Sequence, residues 1–110
     1  MTHGVRFSTA QSVHIDLDVE IGAGTYIGCG VHLLAGTRIG KHCTISEFSI
    51  LKKAFIGNHV NVHSHSVIDH ASIGDHAQIG PFAHIETDSR IEDYAQIGNF
   101  VEVKRSSVGA

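Results

Sequence analysis

An aliphatic residue returns along this chain at a nearly constant interval, at Ile15, Ile21, Ile27, Leu33, Ile39, Ile45, Leu51, Ile56, Val62, Ile68, Ile73, Ile79, Ile85, Ile91, Ile97, Val103 and Val108. Of the 16 steps between these 17 positions, 13 are six residues long and three are five. Two residues before each stands something small or β-branched, running from Val13, Val19 and Thr25 through Cys43, Ala77 and Ala83 to Ala95, Val101 and Ser106. A separation of two puts both members of a pair on one face of a strand. The residues between pairs, rich in Gly, Asp, Asn and His, then form corners. A helix of period 3.6 cannot bury a stripe of period six, and repeated interior glycine opposes it further. The pattern predicts an all-β chain, a parallel β-helix of hexapeptide repeats with three strands per coil. About five coils result, beginning near Ile21, Ile39, Ile56, Ile73 and Ile91. The short steps, from Leu51 to Ile56, Ile68 to Ile73 and Val103 to Val108, all fall at one corner, as a single frame requires.

That frame divides the chain into a lead-in, residues 1–14, and a β-helix domain, residues 15–110. Met1 to Ser12 lie outside the repeat and are placed to fold over the first coil. A solenoid coil is covered only by its neighbours. At the other end, Ser107-Val108-Gly109-Ala110 starts a sixth coil and leaves a row of unpaired backbone groups, which proteins normally avoid. The domain is therefore expected to be truncated at its C-terminus.

Composition narrows the function. With 8 Lys+Arg against 11 Asp+Glu, a formal charge of −3, the chain lacks the basic surplus of a nucleic-acid binder. It has no long apolar run to cross a membrane, and its start lacks the build of a signal peptide. Two cysteines are too few for a disulfide framework, so a reducing cytoplasm is expected. Cys43 occupies an inward small-residue position, where a thiol is inert packing, and Cys29 has no expected partner.

Ten histidines in 110 residues are unusual. His42, His59 and His76 lie 17 apart, at one hexad position on successive coils, and Tyr94 continues the column. Phe48, His65, Phe82 and Phe100 form a similar column on the next side. Trimeric β-helices of the γ-type carbonic anhydrases hold zinc between subunits with three imidazoles. A metal-binding trimer, with His59, His63, His65, His70 and His76 as candidate ligands, is thus one alternative. A catalytic zinc needs three convergent ligands and an open position. Residues in one column project in parallel, which suits stacking instead, and no metal ligand is assigned. A non-catalytic trimerisation prism is the other alternative. Regular Thr-x-Thr rows, which an ice-binding face would need, are absent.

The hexapeptide pattern resembles the acyltransferases built on left-handed parallel β-helices, and left-handedness is an implication of that resemblance. The runs Ile79-Gly80-Pro81-Phe82-Ala83-His84-Ile85 and Ile97-Gly98-Asn99-Phe100-Val101-Glu102-Val103-Lys104 are more specific. They are similar to the acetyltransferase domain of the bifunctional N-acetylglucosamine-1-phosphate uridyltransferase/glucosamine-1-phosphate acetyltransferases, which serve bacterial cell-wall precursor synthesis. Ile15-Asp16, Val19-Glu20-Ile21-Gly22, Gly30-Val31, Thr37 and Ile39-Gly40 fit the opening of that domain. The resemblance implies a cytoplasmic homotrimer acting on an amino-sugar phosphate, with acetyl-CoA as co-substrate. It implies a substrate-side role for Lys104, facing the phosphate as a mobile point charge, and for Glu102 beside it. A family arginine is replaced by Glu86. No catalytic residue is assigned. The catalytic histidine coil, most of the acetyl-CoA site and the uridyltransferase half would lie outside these residues, so the chain is not expected to be active alone. Asn99 is expected to serve as a turn residue at a left-handed corner.

Overall fold

Every strand of the computed structural model, which describes residues 4–7 and 13–109, runs parallel to its hydrogen-bonded neighbours. The strands stack into three faces of a prism measuring 33 × 21 × 20 Å. Face one holds Arg6–Phe7, Tyr26–Ile27, Thr44–Ile45, Asn61–Val62, Gln78–Ile79 and Gln96–Ile97. Face two begins with His14–Ile15, His32–Leu34 and Ile50–Lys52, and ends with Glu102–Lys104. Face three runs from Glu20–Ile21 through Arg38–Ile39 and Phe55–Ile56 to Ser107–Val108. Two longer strands, Val67–Ile73 and His84–Ile91, turn the corner between faces two and three and join them into one sheet.

The registers match the frame set by the repeat: Ile21 pairs with Ile39, Ile39 with Ile56, Ile56 with Ile73, Ile73 with Ile91, and Ile91 with Val108. The aliphatic stripe is buried from Ile21 to Val103, while Ile15 is exposed and Val108 half-buried at the two ends. Every buried side chain among the described residues belongs to the stripe or to the small column two residues before it. The inward hydroxyls of Thr25, Thr37, Ser49 and Ser89 donate to main-chain carbonyls, and that of Ser66 accepts from the Ala83 amide. Among the described residues no buried side-chain polar atom lacks a partner, as a narrow interior demands. At the N-terminal end Arg6–Phe7 extends face one by pairing with Tyr26–Ile27, and the Gly24 amide donates to the Gly4 carbonyl at 2.8 Å.

The corners turn through left-handed backbone. Between faces two and three, five-residue steps use one such residue, Lys53, His70 or Arg105; the six-residue steps after Leu33 and Ile85 use two, Ala35-Gly36 and Thr87-Asp88, while the step after Ile15 turns at Leu17-Asp18 without one. The other corners place His42, His59, His76 and Tyr94, and Phe48, His65, Phe82 and Phe100, at positive φ. Asn99 is therefore not the left-handed residue of its corner. Phe100 takes that conformation (φ 56°) because its ring stacks on Phe82.

Candidate functional site

Outward positions on face two alternate along each strand and align between coils, since side chains two apart share a face. His84 and Glu86 are such a pair, and the register sets His84 beside Glu102 and Glu86 beside Lys104. The two residues expected on the substrate side, Lys104 and Glu102, thus lie on one rung, with His84 and Glu86 on the rung before. Lys104 Nζ is 3.3 Å from Glu86 Oε1 and 3.8 Å from Glu102 Oε2. The second Glu86 oxygen, Oε2, is 2.9 Å from His84 Nε2, and His84 Nδ1 is 3.9 Å from Glu102 Oε2. Glu86 is the hub of this four-membered charge cluster. The hydrogen bond from Lys104 to Glu86, followed by the charges of Glu102 and Glu86, raises the lysine's pKa above its ordinary value.

Glu86 is the anion that stands where the resemblance implies a cation. His84 carried no role there, although its i, i+2 relation to Glu86 was the signal that could have found it. The same spacing recurs at the start of face two, where His14 Nε2 lies 2.9 Å from Asp16 Oδ1. The Asp16 carboxylate also accepts the Ala35 amide at 2.9 Å. That backbone bond, then His14, holds its carboxyl below the usual range.

A concavity runs along the corner between faces two and three. It is a groove of about 610 Å³ lined by the half-exposed Phe55 and by Lys53, His70, Arg90, Asp18 and Asp88 among others. Both charge signs are present, and Arg90 is held by Glu92 at 3.1 Å. The spacing of the corner residues gave no sign of this groove, because its depth depends on how far each corner turn projects.

The histidines proposed as alternative metal ligands are dispersed. His59 and His76 stack face to face at 4.9 Å, and His65 stacks between Phe48 and Phe82 at 5.2 and 5.0 Å. His63 contacts the Gln78 side chain at 3.3 Å, and His70 pairs with Asp69 at the far corner. No group of three or more His, Cys, Asp or Glu able to hold a metal occurs among the described residues.

Residues 9–109 match the model of the family described as GMPPB C-terminal domain. Over 109 residues the chain is 40% identical to the bifunctional protein GlmU of Clostridium botulinum and 36% identical to that of Koribacter versatilis. These alignments cover 99% of this chain but only 24% and 23% of those proteins, so the chain spans about a quarter of their length. Among solved structures, the H141N mutant of perosamine N-acetyltransferase from Caulobacter crescentus, in complex with CoA and GDP-perosamine, superposes with a TM-score of 0.89 at 19% identity. That match covers 97% of this chain and 52% of the other. The acetyltransferase domain of PglB from Neisseria gonorrhoeae, in complex with acetyl coenzyme A, gives 0.69 at 13% identity over 97% of this chain and 55% of its own. At such identities the likeness shows the fold, the expected left-handed parallel β-helix of about five coils.

Proposed function

The chain belongs to the GMPPB C-terminal domain family, and from that premise we propose that it is part of an amino-sugar N-acetyltransferase domain of the bifunctional type. In this reading acetyl-CoA is the donor and the amine of glucosamine-1-phosphate, or a close relative, is the acceptor. The observation that carries it is the 36–40% identity to bifunctional GlmU proteins along 109 residues, which include the Asn99–Lys104 run. The fold shared with CoA-bound acetyltransferases supports it. Neither the dispersed histidines nor the relatives favour a zinc-holding trimer.

Lys104 and Glu102 form the substrate-side edge in this proposal. Acetyl transfer to an amine needs a positioned base and a pocket that orients the thioester. Lys104 and Glu102 stand exposed on the open edge of face two, and in this proposal they bind acceptor without turning it over. The working protein is proposed as a cytoplasmic homotrimer whose neighbours and remaining segments complete the site.

The test is a titration of the purified chain with glucosamine and glucosamine-1-phosphate, followed by NMR. Shifts should concentrate at His84, Glu86, Glu102 and Lys104 and vanish in Lys104→Ala. Free thiol release from acetyl-CoA should stay at the uncatalysed rate. Shifts centred on the Lys53–Phe55–Arg90 groove instead would move the binding site and sink this assignment.

A further inference from the structure

The outward column of face three runs Glu20, Arg38, Phe55, Ser72, Arg90 and Ser107 from coil to coil, with one aromatic ring among charged and hydroxyl side chains. Phe55 is 51% exposed. The rings of the two corner columns stack on one another, whereas Phe55 stacks on no ring among the described residues. Its register partner on the next coil is only a serine, Ser72, and Ala35 and Gly36 line the same groove. Small neighbours leave the ring uncovered, and nothing in the packing of the prism accounts for an aromatic at this position. The charges lining the groove are balanced. Lys53 and Arg90 stand against Asp18 and Asp88, Arg90 is already held by Glu92 at 3.1 Å, and the His70 imidazole has its own carboxylate in Asp69.

We propose that this groove binds an uncharged saccharide ring, seated on Phe55 and hydrogen-bonded by the charged side chains around it. A pyranose has an apolar C–H face and a rim of hydroxyls, each of which both donates and accepts. An exposed aromatic ring covers the first, taking apolar area of both partners out of water. The rim needs donors and acceptors side by side. Lys53 and Arg90 carry donors only, Asp18 and Asp88 acceptors only, and hydrogen bonds to ionised groups are the stronger kind. A phosphate or a bare cation meets the wrong balance, since it lies near as many like charges as opposite ones. A hydroxyl rim uses both signs at once. The volume of about 610 Å³ falls within the usual range of small-molecule sites, roughly 300–1,000 Å³. This site is separate from the Lys104 edge and stands whether or not that edge binds the acceptor.

The experiment titrates the full chain with methyl β-glucoside and N-acetylglucosamine, both uncharged, and with inorganic phosphate, followed by amide NMR. At least one sugar should give saturable shifts centred on Gly36, Phe55 and Ser72, and phosphate should give none there. Phe55→Ala should weaken sugar binding on the order of ten-fold, the scale of one lost ring contact. Phe55→Trp, which keeps a flat apolar face, should retain it. Phe55 lies outside the buried core, so these variants should fold, and the dispersion of their amide signals checks that. Asp88→Ala, which removes one anion from the balance, should weaken the sugars and admit phosphate. The proposal is overturned if neither sugar gives saturable shifts, if sugar shifts centre elsewhere, or if Phe55→Ala leaves them unchanged. Phosphate shifts in the wild-type groove as large as the sugars' overturn it as well. Binding of glucosamine-1-phosphate at Lys104 is read at different residues, so the two readings fail independently.

Discussion

A left-handed backbone at a residue with a bulky side chain costs about 1–2 kcal/mol, yet this chain repeats it at His42, His59, His76 and Tyr94 and at Phe48, His65, Phe82 and Phe100. Ring stacking offsets that cost. Centroids within the two columns are 4.8–5.2 Å apart, and an aromatic pair contributes ~0.5–1.5 kcal/mol beyond its burial. An interior ring has two such neighbours. Below each column stands a glycine of positive φ, Gly24 under His42 and Gly30 under Phe48, where a Cβ would collide with the ring above. The cysteines differ for a related reason of place. Cys43 is buried, with its thiol donating to the Gly57 carbonyl at 3.0 Å, whereas Cys29 is half-buried at a turn. Burial pushes the Cys43 thiol above its ordinary pKa, so the folded state holds its proton more tightly than the unfolded chain. Its contribution to stability should be complete below the unfolded thiol value, roughly 8.5, and be lost as pH rises through the higher folded value. A thiol reagent at neutral pH should label Cys29 promptly and Cys43 only at the rate of unfolding. Prompt labelling of both would show that position 43 does not face the interior.

At the scale of the element, two devices keep the coils in step. One is a ladder of side-chain acceptors at a single corner. The Lys41 amide donates to Asn58 Oδ1, the Asn58 amide to Asp75 Oδ1 and the Asp75 amide to Asp93 Oδ1, at 2.8, 2.8 and 2.7 Å. Gly40, Gly57 and Gly74 make room for these carboxylate and amide oxygens, since a Cβ there would strike them. Asp75→Ala should lower stability by roughly 0.5–1.5 kcal/mol, the net worth of one such bond, measured as a shift in denaturant midpoint. Gly57→Ala should cost more, because it displaces the Asp75 side chain and crowds main chain as well. The second device is the narrow inward column. Ala83 is 2% exposed and packs among the stripe, so Ala83→Leu should overpack the prism and cost about 1–3 kcal/mol. An unchanged midpoint in Ala83→Leu would mean that its side chain points outward.

The whole molecule carries its ion pairs unevenly. The pairs found among the described residues lie on faces two and three and their shared corner. Face one between Tyr26 and Gln96 presents hydroxyl, amide and imidazole groups instead, bordered by the two aromatic columns with Phe48, Phe82, Tyr94 and Phe100 exposed. A prism with so slender an interior, bearing an aromatic border, is suited to side-by-side packing. Sedimentation should give about three times the 11.8 kDa chain mass. A monomer throughout the micromolar range would count against the trimer and against a site shared between neighbours.

The sequence by itself determined the period, the strand class, both inward columns and the shared corner of the short steps. Burial in a solenoid depends on position within a local repeat, so Ile21 through Val103 could be placed without any long-range contact. Stacking of the aromatic columns followed from the same register. The family was legible because the Ile79–Lys104 runs are local motifs. Three things waited for the tertiary structure. Phe100 rather than Asn99 takes the left-handed position, because stacking between coils outweighs intrinsic turn preference. The groove beside Phe55 exists only once the corners project from the prism. The pairing of Lys104 with Glu86, some 18 residues apart, and of Glu86 with His84, two apart on one strand, depends on side chains meeting at given angles and distances. Periodicity fixes which residues are neighbours; only packed side chains decide which of them hold one another and which remain open to a ligand.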